Sequence, residues 1–533
     1  MHWNPEWGES RIAGMIEARP DWCISRQRAW GVPIPVFYCA QCGEMLLTRE
    51  TLDRVRDLVA EHGADVWWER EASELLPEGT VCVREGCGGT SFTKEPDIMS
   101  VWVDSGCSHY CVLRTHPELS YPADLYLEGD DQYQCWFQTS LWVAMALGDP
   151  APYRTVVGHG FFVDESGSKL SKSKGNIISP AEIYENYGAD VLRLWFTYAD
   201  FRQKMALSES IFAQVADAYR RIRNTARFLL QNLQDFDPAA DAVAADEMRE
   251  SDRWALDRLQ RRVRAITEAF ERWDLHIVYR ELHALCDQDL SAFYLNVLKD
   301  RLYTEVPDAP ARRSAQTAMW ALLSAIARMM APVLTFTSEE VWQHMREEID
   351  ASLPASVQLA DWPEVDEALL DDELVGRWRQ VLALRAVAMA ALEEAKAAGE
   401  VPNPLEARLD LYVTDAQREV LRSVEEDLAA LMIVSVLFRV VPWRMRFGRI
   451  GLLAGRRRRD EPHLRCAPTG TGQKDNKNMG TARRILTSDR NPAGPLEKSD
   501  AATTGATGAG AGIALPSAHP GVANPDASLA TSG

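Results

Sequence analysis

The chain has 533 residues, 46% hydrophobic and 26% charged, with a formal net charge of −20. That length allows three or four domains around sizeable cores, while no apolar run reaches a membrane span and the start does not read as a signal peptide. Ten cysteines in such a chain predict reduced thiols or metal ligands rather than disulfides, and a cytoplasmic, membrane-free protein.

The charge divides unevenly, net −27 over residues 1–440 and +7 over 441–533. Whole-chain charge speaks to solubility and neither predicts nor excludes a local nucleic-acid surface.

Residues 2–16 carry no strand pattern. Residues 22–35 read as a buried segment running into a Pro33-x-Pro35 turn that blocks helix. Residues 36–96 read as a small insertion with two cysteine pairs, Cys39-x2-Cys42 before Gly43 and Cys82-x4-Cys87 before Gly88 and Gly89. Each pair forms a turn that points both sulfurs inward, so four thiolates can surround a structural Zn²⁺; four unmetallated cysteines are the alternative.

Residues 97–200 alternate apolar segments (98–103, 123–127, 153–157) with helical ones (134–146, 180–186). That alternation predicts an α/β fold with a parallel, doubly wound sheet, and ligands there sit beyond the carboxyl ends of the strands. The strand over 123–127 delivers Glu128, Asp130, Asp131 and Gln132 to that edge. Taken alone, the acids serve equally as a helix start complementing the dipole, and Trp102 and Trp136 as core aromatics.

Residues 160–176, GFFVDESGSKLSKSKGN, present Lys169, Ser171, Lys172 and Ser173 between Gly167 and Gly175. Ammonium groups and hydroxyls on such a loop suit a polyphosphate; a lone K-x-x-K is also how a solvated turn looks. Over 207–348 apolar residues recur at three and four, as in Ile211, Val215, Ala218 and Ile222, predicting an all-helical bundle in which Thr337 and Glu340 form a capping box. A linker over 354–371 leads to a helix (374–398), a strand (407–413) and a helix (415–431). From 438 eight arginines precede a tail of Gly, Ala, Thr, Ser, Pro and Asn. It reads as disordered and as a non-native extension, such as an out-of-frame translation.

KLSKS resembles the KMSKS loop of class I aminoacyl-tRNA synthetases, with Leu170 in the methionine position. PDWCISRQRAWGVPIP, DIMSVWVDSG, DLYLEGDDQYQCWFQTSL, YGADVLRLW, SAFYLNVLKDRLYTE and APVLTFTSEEVW follow in the order of isoleucyl-tRNA synthetases. Valyl and leucyl enzymes share the general pattern; residues 28–35 and FYLNVLKDRLYTE favour the isoleucyl member. The resemblance spans residues 3–437.

It implies the second half of a Rossmann catalytic domain (1–200, with the Cys-rich insertion), an anticodon-binding bundle (201–371), a small α/β appendage (372–437) and the tail (438–533). The His-x-Gly-His half and the editing domain are expected to be missing. The chain then reads as the C-terminal portion of an isoleucine–tRNA ligase using ATP, Mg²⁺, isoleucine and tRNA(Ile), otherwise monomeric. A non-catalytic tRNA-binding fragment, or one subunit of a split enzyme with a separate N-terminal half, is the alternative.

By the same resemblance Glu128, Asp131 and Gln132 hold the aminoacyl-adenylate, and Trp102 and Trp136 line the side-chain pocket. His159 and Gly160 lead into the loop at the ATP. Lys172, assisted by Lys169, meets the leaving pyrophosphate, while Ser171 and Ser173 shape the loop. Arg220, Arg221, Arg223 and Arg227 become candidate tRNA contacts. Asp130 stands where a small residue is common, and Gln134-Cys135 replaces Arg-Gly.

Overall fold

A computed structural model describes residues 1–19, 21–28, 31–168, 170, 178–399, 401, 403, 407–434, 438–442, 451–456 and 484–485. Lys169, Ser171, Lys172 and Ser173 therefore lie outside the described residues.

The chain opens on a strand, β1 (His2–Asn4), where none is expected. Three residues are too few to show a period of two. Next, α1 (Trp7–Ala18) packs Ile12 inward, and β2 (Ser25–Arg26) pairs antiparallel with a later strand. The expectation that 22–35 is buried is corrected: Cys23, Ile24 and Val32 are exposed, and among the described residues Pro33 is the buried member. The apolar residues here are separated by Arg26, Gln27 and Arg28, so no face of the segment is continuously apolar.

The insertion folds on itself. β3 (Phe37–Cys39), β4 (Met45–Leu46) and, further on, β5 (Phe92–Lys94) form an antiparallel sheet in the order β4-β3-β5. Between them come α2 (Arg49–His62), capped by Thr48, then α3 (Val66–Glu69) and α4 (Ala72–Leu75). Phe37, Val55, Leu58, Trp67 and Leu75 make a small core of their own.

The segment expected as one strand over 98–103 is a two-residue strand, β6 (Ile98–Met99), followed by a helix, α5 (Val101–Gly106). Ser100 ends the strand by accepting from the Trp102 amide, an N-cap that outweighs the β-branched Val101 and Val103. β7 (Ala123–Gly129) then leads through a 3-10 turn, Asp130–Gln134, into α6 (Trp136–Ala146), and β8 (Tyr153–His159) returns beside it. The sheet runs β1-β8-β7, all parallel, with Asn4 opposite Val157 and Gly129 opposite His159. Beyond it lie β9 (Phe162–Val163), α7 (Pro180–Tyr187), α8 (Ala189–Tyr198) and β10 (Met205–Ala206), with β9 and β10 parallel.

The bundle comprises α9 (Glu209–Gln231), α10 (Glu250–Glu271), α11 (Leu275–Ala284), a π-helical stretch over Leu285–Tyr294, α12 (Leu295–Val297), α13 (Lys299–Thr304), α14 (Pro310–Met330) and α15 (Thr335–Glu348). Ile222, Leu259, Tyr294, Leu322 and Ile326 lie in its shared core. The expected capping box at Thr337 is corrected. Thr337 lies inside α15, and its hydroxyl donates to Asp190 of α8 instead of closing a local box.

The 354–371 linker is pinned to the bundle by the Trp362 indole N–H on Thr267. α16 (Asp372–Ala397), β11 (Ala407–Val413), α17 (Asp415–Arg422) and α18 (Leu428–Leu431) follow. The expected single helix over 415–431 is broken by the 3-10 turn Glu425–Asp427, where Asp427 accepts from Ser251 and Arg249 of the bundle. Most of 438–533 lies outside the described residues. Within it, β12 (Phe438–Pro442), β13 (Gly451–Arg456) and β14 (Arg484–Ile485) extend the β11 sheet in the order β12-β11-β13-β14.

A candidate adenylate site and a thiolate cage

A parallel strand ends by presenting side chains beyond its carboxyl edge. β7 and β8 end together here, and that edge gathers Glu128, Asp131, Gln132 and His159. Glu128 and Asp131 are exposed, Gln132 and His159 half-buried. The tight 3-10 turn lets Gln132 reach both ways: its amide nitrogen donates to Asp131 (3.3 Å), and its oxygen accepts from the Trp136 amide (3.2 Å), holding the start of α6. The His159 Nδ1 sits 2.9 Å from the Gly160 carbonyl, a bond that requires the proton on Nδ1.

Glycine is needed at this edge for space. A Cβ on Gly129 would stand 2.9 Å from an Asp131 oxygen, one on Gly158 2.9 Å from the Tyr133 hydroxyl, and one on Gly160 would collide with the Gln203 carbonyl.

Trp136 is half-buried. Its ring stacks on Tyr126 with centroids 4.1 Å apart and planes 9° from parallel. Its indole N–H donates to the Ser105 carbonyl (2.9 Å) and faces the Ser108 hydroxyl (3.2 Å). Trp102, also half-buried, stands on α5, the helix that carries Ser105. The two indoles expected to share a pocket thus stand on helices joined directly by that hydrogen bond.

Asp130 is half-buried at the start of the turn. Burial raises its pKa, with Arg11 4.0 Å away opposing. Tyr133 beneath it is pushed up to about 12 by burial and then by Asp130. The extra carboxylate is therefore partly buried beside Arg11 of α1.

Tyr126, Ser108 and Arg11 were not among the residues read from sequence. Only Tyr126 carried a signal: two residues before Glu128 in a strand, it lies on the same face.

In the insertion, the sulfurs of Cys39, Cys42, Cys82 and Cys87 all lie within 4.8 Å of one another. Cys39 and Cys87 are 3.8 Å apart, Cys42 and Cys82 3.6 Å. A tetrahedral ion with bonds of about 2.3 Å places its sulfurs about 3.8 Å apart, so the cage has the size and donor set for zinc. The Arg84 amide donates to Cys82 (3.4 Å), and Gly89 leaves room that a Cβ would take, 2.8 Å from the Cys39 sulfur. The Gln41 amide leads the effects that draw the Cys39 thiol down to about 7.

On the bundle, Arg220 and Arg221 are exposed and pair with Asp217, Arg221 also with Asp287. Arg223 pairs with Glu340 across to α15. Arg227 is exposed and, with Arg223, Gln231, Gln234 and His344, lines a groove of about 230 Å³ between α9 and α15. Among the described residues, no helix is long and apolar enough to cross a membrane.

Two family models match this arrangement: tRNA synthetases class I (I, L, M and V) over residues 1–208, and the anticodon-binding domain of tRNA ligase over 252–411. The chain belongs to the class I tRNA synthetases. Its curated relatives include isoleucine–tRNA ligases. That of Moorella thermoacetica is 50% identical over 435 residues, covering 82% of this chain and 46% of the relative; that of Caldanaerobacter subterraneus subsp. tengcongensis is 47% identical with the same coverage. A crystal structure of a ternary complex of Agrobacterium radiobacter K84 agnB2 LeuRS, tRNA and LeuAMS covers 81% of this chain and 53% of that one, at 20% identity and a TM-score of 0.49. The chain spans about half the length of the curated relatives it matches.

Proposed function

We propose that this chain supplies the second catalytic half and the anticodon-binding part of an isoleucine–tRNA ligase, activating isoleucine with ATP and transferring it to tRNA(Ile). The observation that carries the reading is the edge itself: Glu128, Asp131, Gln132 and His159 share one strand-end cluster with the stacked Trp136. In the first step the isoleucine carboxylate attacks the α-phosphate and pyrophosphate leaves; in the second the adenylate acylates a terminal ribose of the tRNA. Neither step requires a protein nucleophile, so the protein contributes positioning and charge.

Glu128 and Asp131 receive the ammonium or ribose hydroxyls, and Gln132 fixes Asp131 and the start of α6. Trp102 and Trp136 offer indole faces to a branched apolar side chain. His159 and Gly160 border the ATP, and the KLSKS lysines meet its phosphates, with Mg²⁺ entering as part of the ATP substrate. Cys39, Cys42, Cys82 and Cys87 would hold a structural Zn²⁺ that closes the insertion. Arg227 and its groove, with Arg220, Arg221 and Arg223, would face tRNA phosphates. We place the protein in the cytoplasm.

A second reading is a tRNA-binding chain needing a separate N-terminal half for catalysis; among the described residues the outer edge of β7 is open to a further strand. Isoleucine-dependent exchange of pyrophosphate into ATP, measured with the chain alone and again with an added N-terminal half, separates the two. Exchange by the chain alone supports the first. Exchange only after addition supports the second, and tRNA(Ile) binding without exchange in either case defeats the ligase reading.

A further inference from the structure

We propose that Ser108 and Tyr126 are positioning residues that lock the Trp136 indole at one depth and so determine how sharply the pocket separates isoleucine from valine. The proposal rests on the reading of Trp136 as a wall of the amino-acid pocket.

Trp136 is held from three directions. Its backbone amide donates to Gln132, its indole N–H is shared between the Ser105 carbonyl and the Ser108 hydroxyl, and one ring face lies flat on Tyr126. Tyr126 is itself only 4% exposed. Burial raises its pKa, and the hydroxyls of Ser140 and Ser108 oppose that rise. Ser108 thus accepts from the indole edge, while Tyr126 backs one face of the ring.

The backbone geometry makes the arrangement stiff. A Cβ on Gly106 would come within 2.9 Å of the Thr139 carbonyl, so α5 lies backbone against backbone with α6. That close approach is what carries the Ser105 carbonyl to the indole.

A tryptophan serving only as filler has no use for two acceptors and a parallel ring while remaining half-exposed. An immobile wall has a chemical consequence. When valine replaces isoleucine, a rigid wall leaves the space of the missing methylene empty, and a void that cannot relax keeps its full cost. A wall free to tilt closes over the shorter side chain and the cost disappears. One methylene in an apolar pocket supports roughly 10- to 200-fold discrimination, and rigidity decides where in that range a site falls.

The test is calorimetric titration of the 533-residue chain with non-hydrolysable isoleucyl- and valyl-adenylate analogues, for wild type, Ser108→Ala, Ser108→Thr and Tyr126→Leu. The expected result is a several-fold fall in the isoleucyl-to-valyl affinity ratio for Ser108→Ala and for Tyr126→Leu, which removes the stacked ring, and recovery in Ser108→Thr, which keeps the hydroxyl. Thermal melts of the same samples report folding. A merely structural role would lower the melting temperature or weaken both analogues equally, leaving the ratio unmoved, and that outcome overturns the proposal alone. If wild type binds neither analogue, the pocket reading and this inference fall together.

Discussion

Asp190, the second residue of α8, accepts the backbone N–H of Thr337 at 2.7 Å and its hydroxyl at 2.6 Å, with the Phe336 amide at 3.3 Å. A carboxylate from the sheet-bearing part of the chain thus caps α15 of the bundle from outside. Arg193, one turn along, donates to the Val333 and Pro332 carbonyls just before that helix. The two parts are clamped by charge-assisted bonds to backbone, which fixes their mutual angle more firmly than apolar contact alone.

Removing that cap leaves two amides and a hydroxyl without their acceptor in a buried place. Asp190→Ala is expected to lower unfolding stability by about 2–3 kcal/mol. Asp190→Asn, which keeps one acceptor oxygen, should lose less. Urea melts followed by helical circular dichroism measure both, and equal losses would show that the carboxylate charge and both its oxygens are needed.

The thiolate cage predicts one zinc per chain and a conditional insertion. The core around Phe37 and Trp67 is too small to stand alone, and Trp67 is fully buried in it. Chelation, or Cys39→Ser with Cys82→Ser, should shift tryptophan emission to the red and open residues 36–96 to protease while the bundle stays folded. Elemental analysis showing no zinc in protein grown with the metal would refute the cage.

Much of this was legible in the sequence, for identifiable reasons. The strands over 123–127 and 153–157 and the acids after the first show because a seven-residue parallel strand declares itself by composition. The cysteine spacing likewise constrains its own turn. What sequence could not show depends on distant partners. β1 exists only because β8 supplies its ladder. Thr337 resembles a local cap but is claimed by a residue far earlier in the chain, and Ser108 becomes part of the site only through Trp136. The lysines and serines of the KLSKS motif lie outside the described residues, so their roles rest on the resemblance.

His109 is 1% exposed on the π-helical turn after α5, its ring against Tyr121 beside the Arg114–Asp149 ion pair. Burial first, then Arg114, holds its pKa below the usual value, with the Gly106 backbone and Asp149 opposing. An unfolded histidine titrates near 6.5, so as pH falls the unfolded chain takes up this proton before the folded one. The stability present above about pH 6.5 is therefore lost progressively below it. His109→Phe should keep the ring contact and flatten the melting temperature between pH 7 and 5. A variant as acid-sensitive as wild type would place the cause elsewhere.

Gly160 tests the junction leading into the KLSKS loop. Its amide donates to the Phe201 carbonyl (2.8 Å), and a side chain there meets the Gln203 backbone, which has nowhere to yield. Gly160→Ala is expected to cost about 1–3 kcal/mol, as overpacking does, and to weaken ATP binding, because the neighbouring β9–β10 pairing must shift. Gly14→Ala, inside α1 with open space around the Cβ, should leave ATP binding unchanged and raise stability by about 0.5–1 kcal/mol. The comparison is made by thermal melts and nucleotide titration.

Glu128 separates function from folding most cleanly. It is exposed at the end of β7, and its side chain makes no hydrogen bond or ion pair among the described residues, so that side chain contributes little to stability. A surface change of this kind moves stability by no more than about 0.5 kcal/mol. If Glu128 receives the ammonium or a ribose hydroxyl of the adenylate, its loss removes a charged hydrogen bond of about 1.5–3 kcal/mol, a fall of roughly 10- to 150-fold in affinity. Glu128→Gln keeps the shape and one acceptor and should fall toward the low end; Glu128→Ala should reach the high end. Both should melt with wild type. Titration with the isoleucyl-adenylate analogue measures the difference, and two variants that bind as tightly as wild type would take Glu128 out of the site.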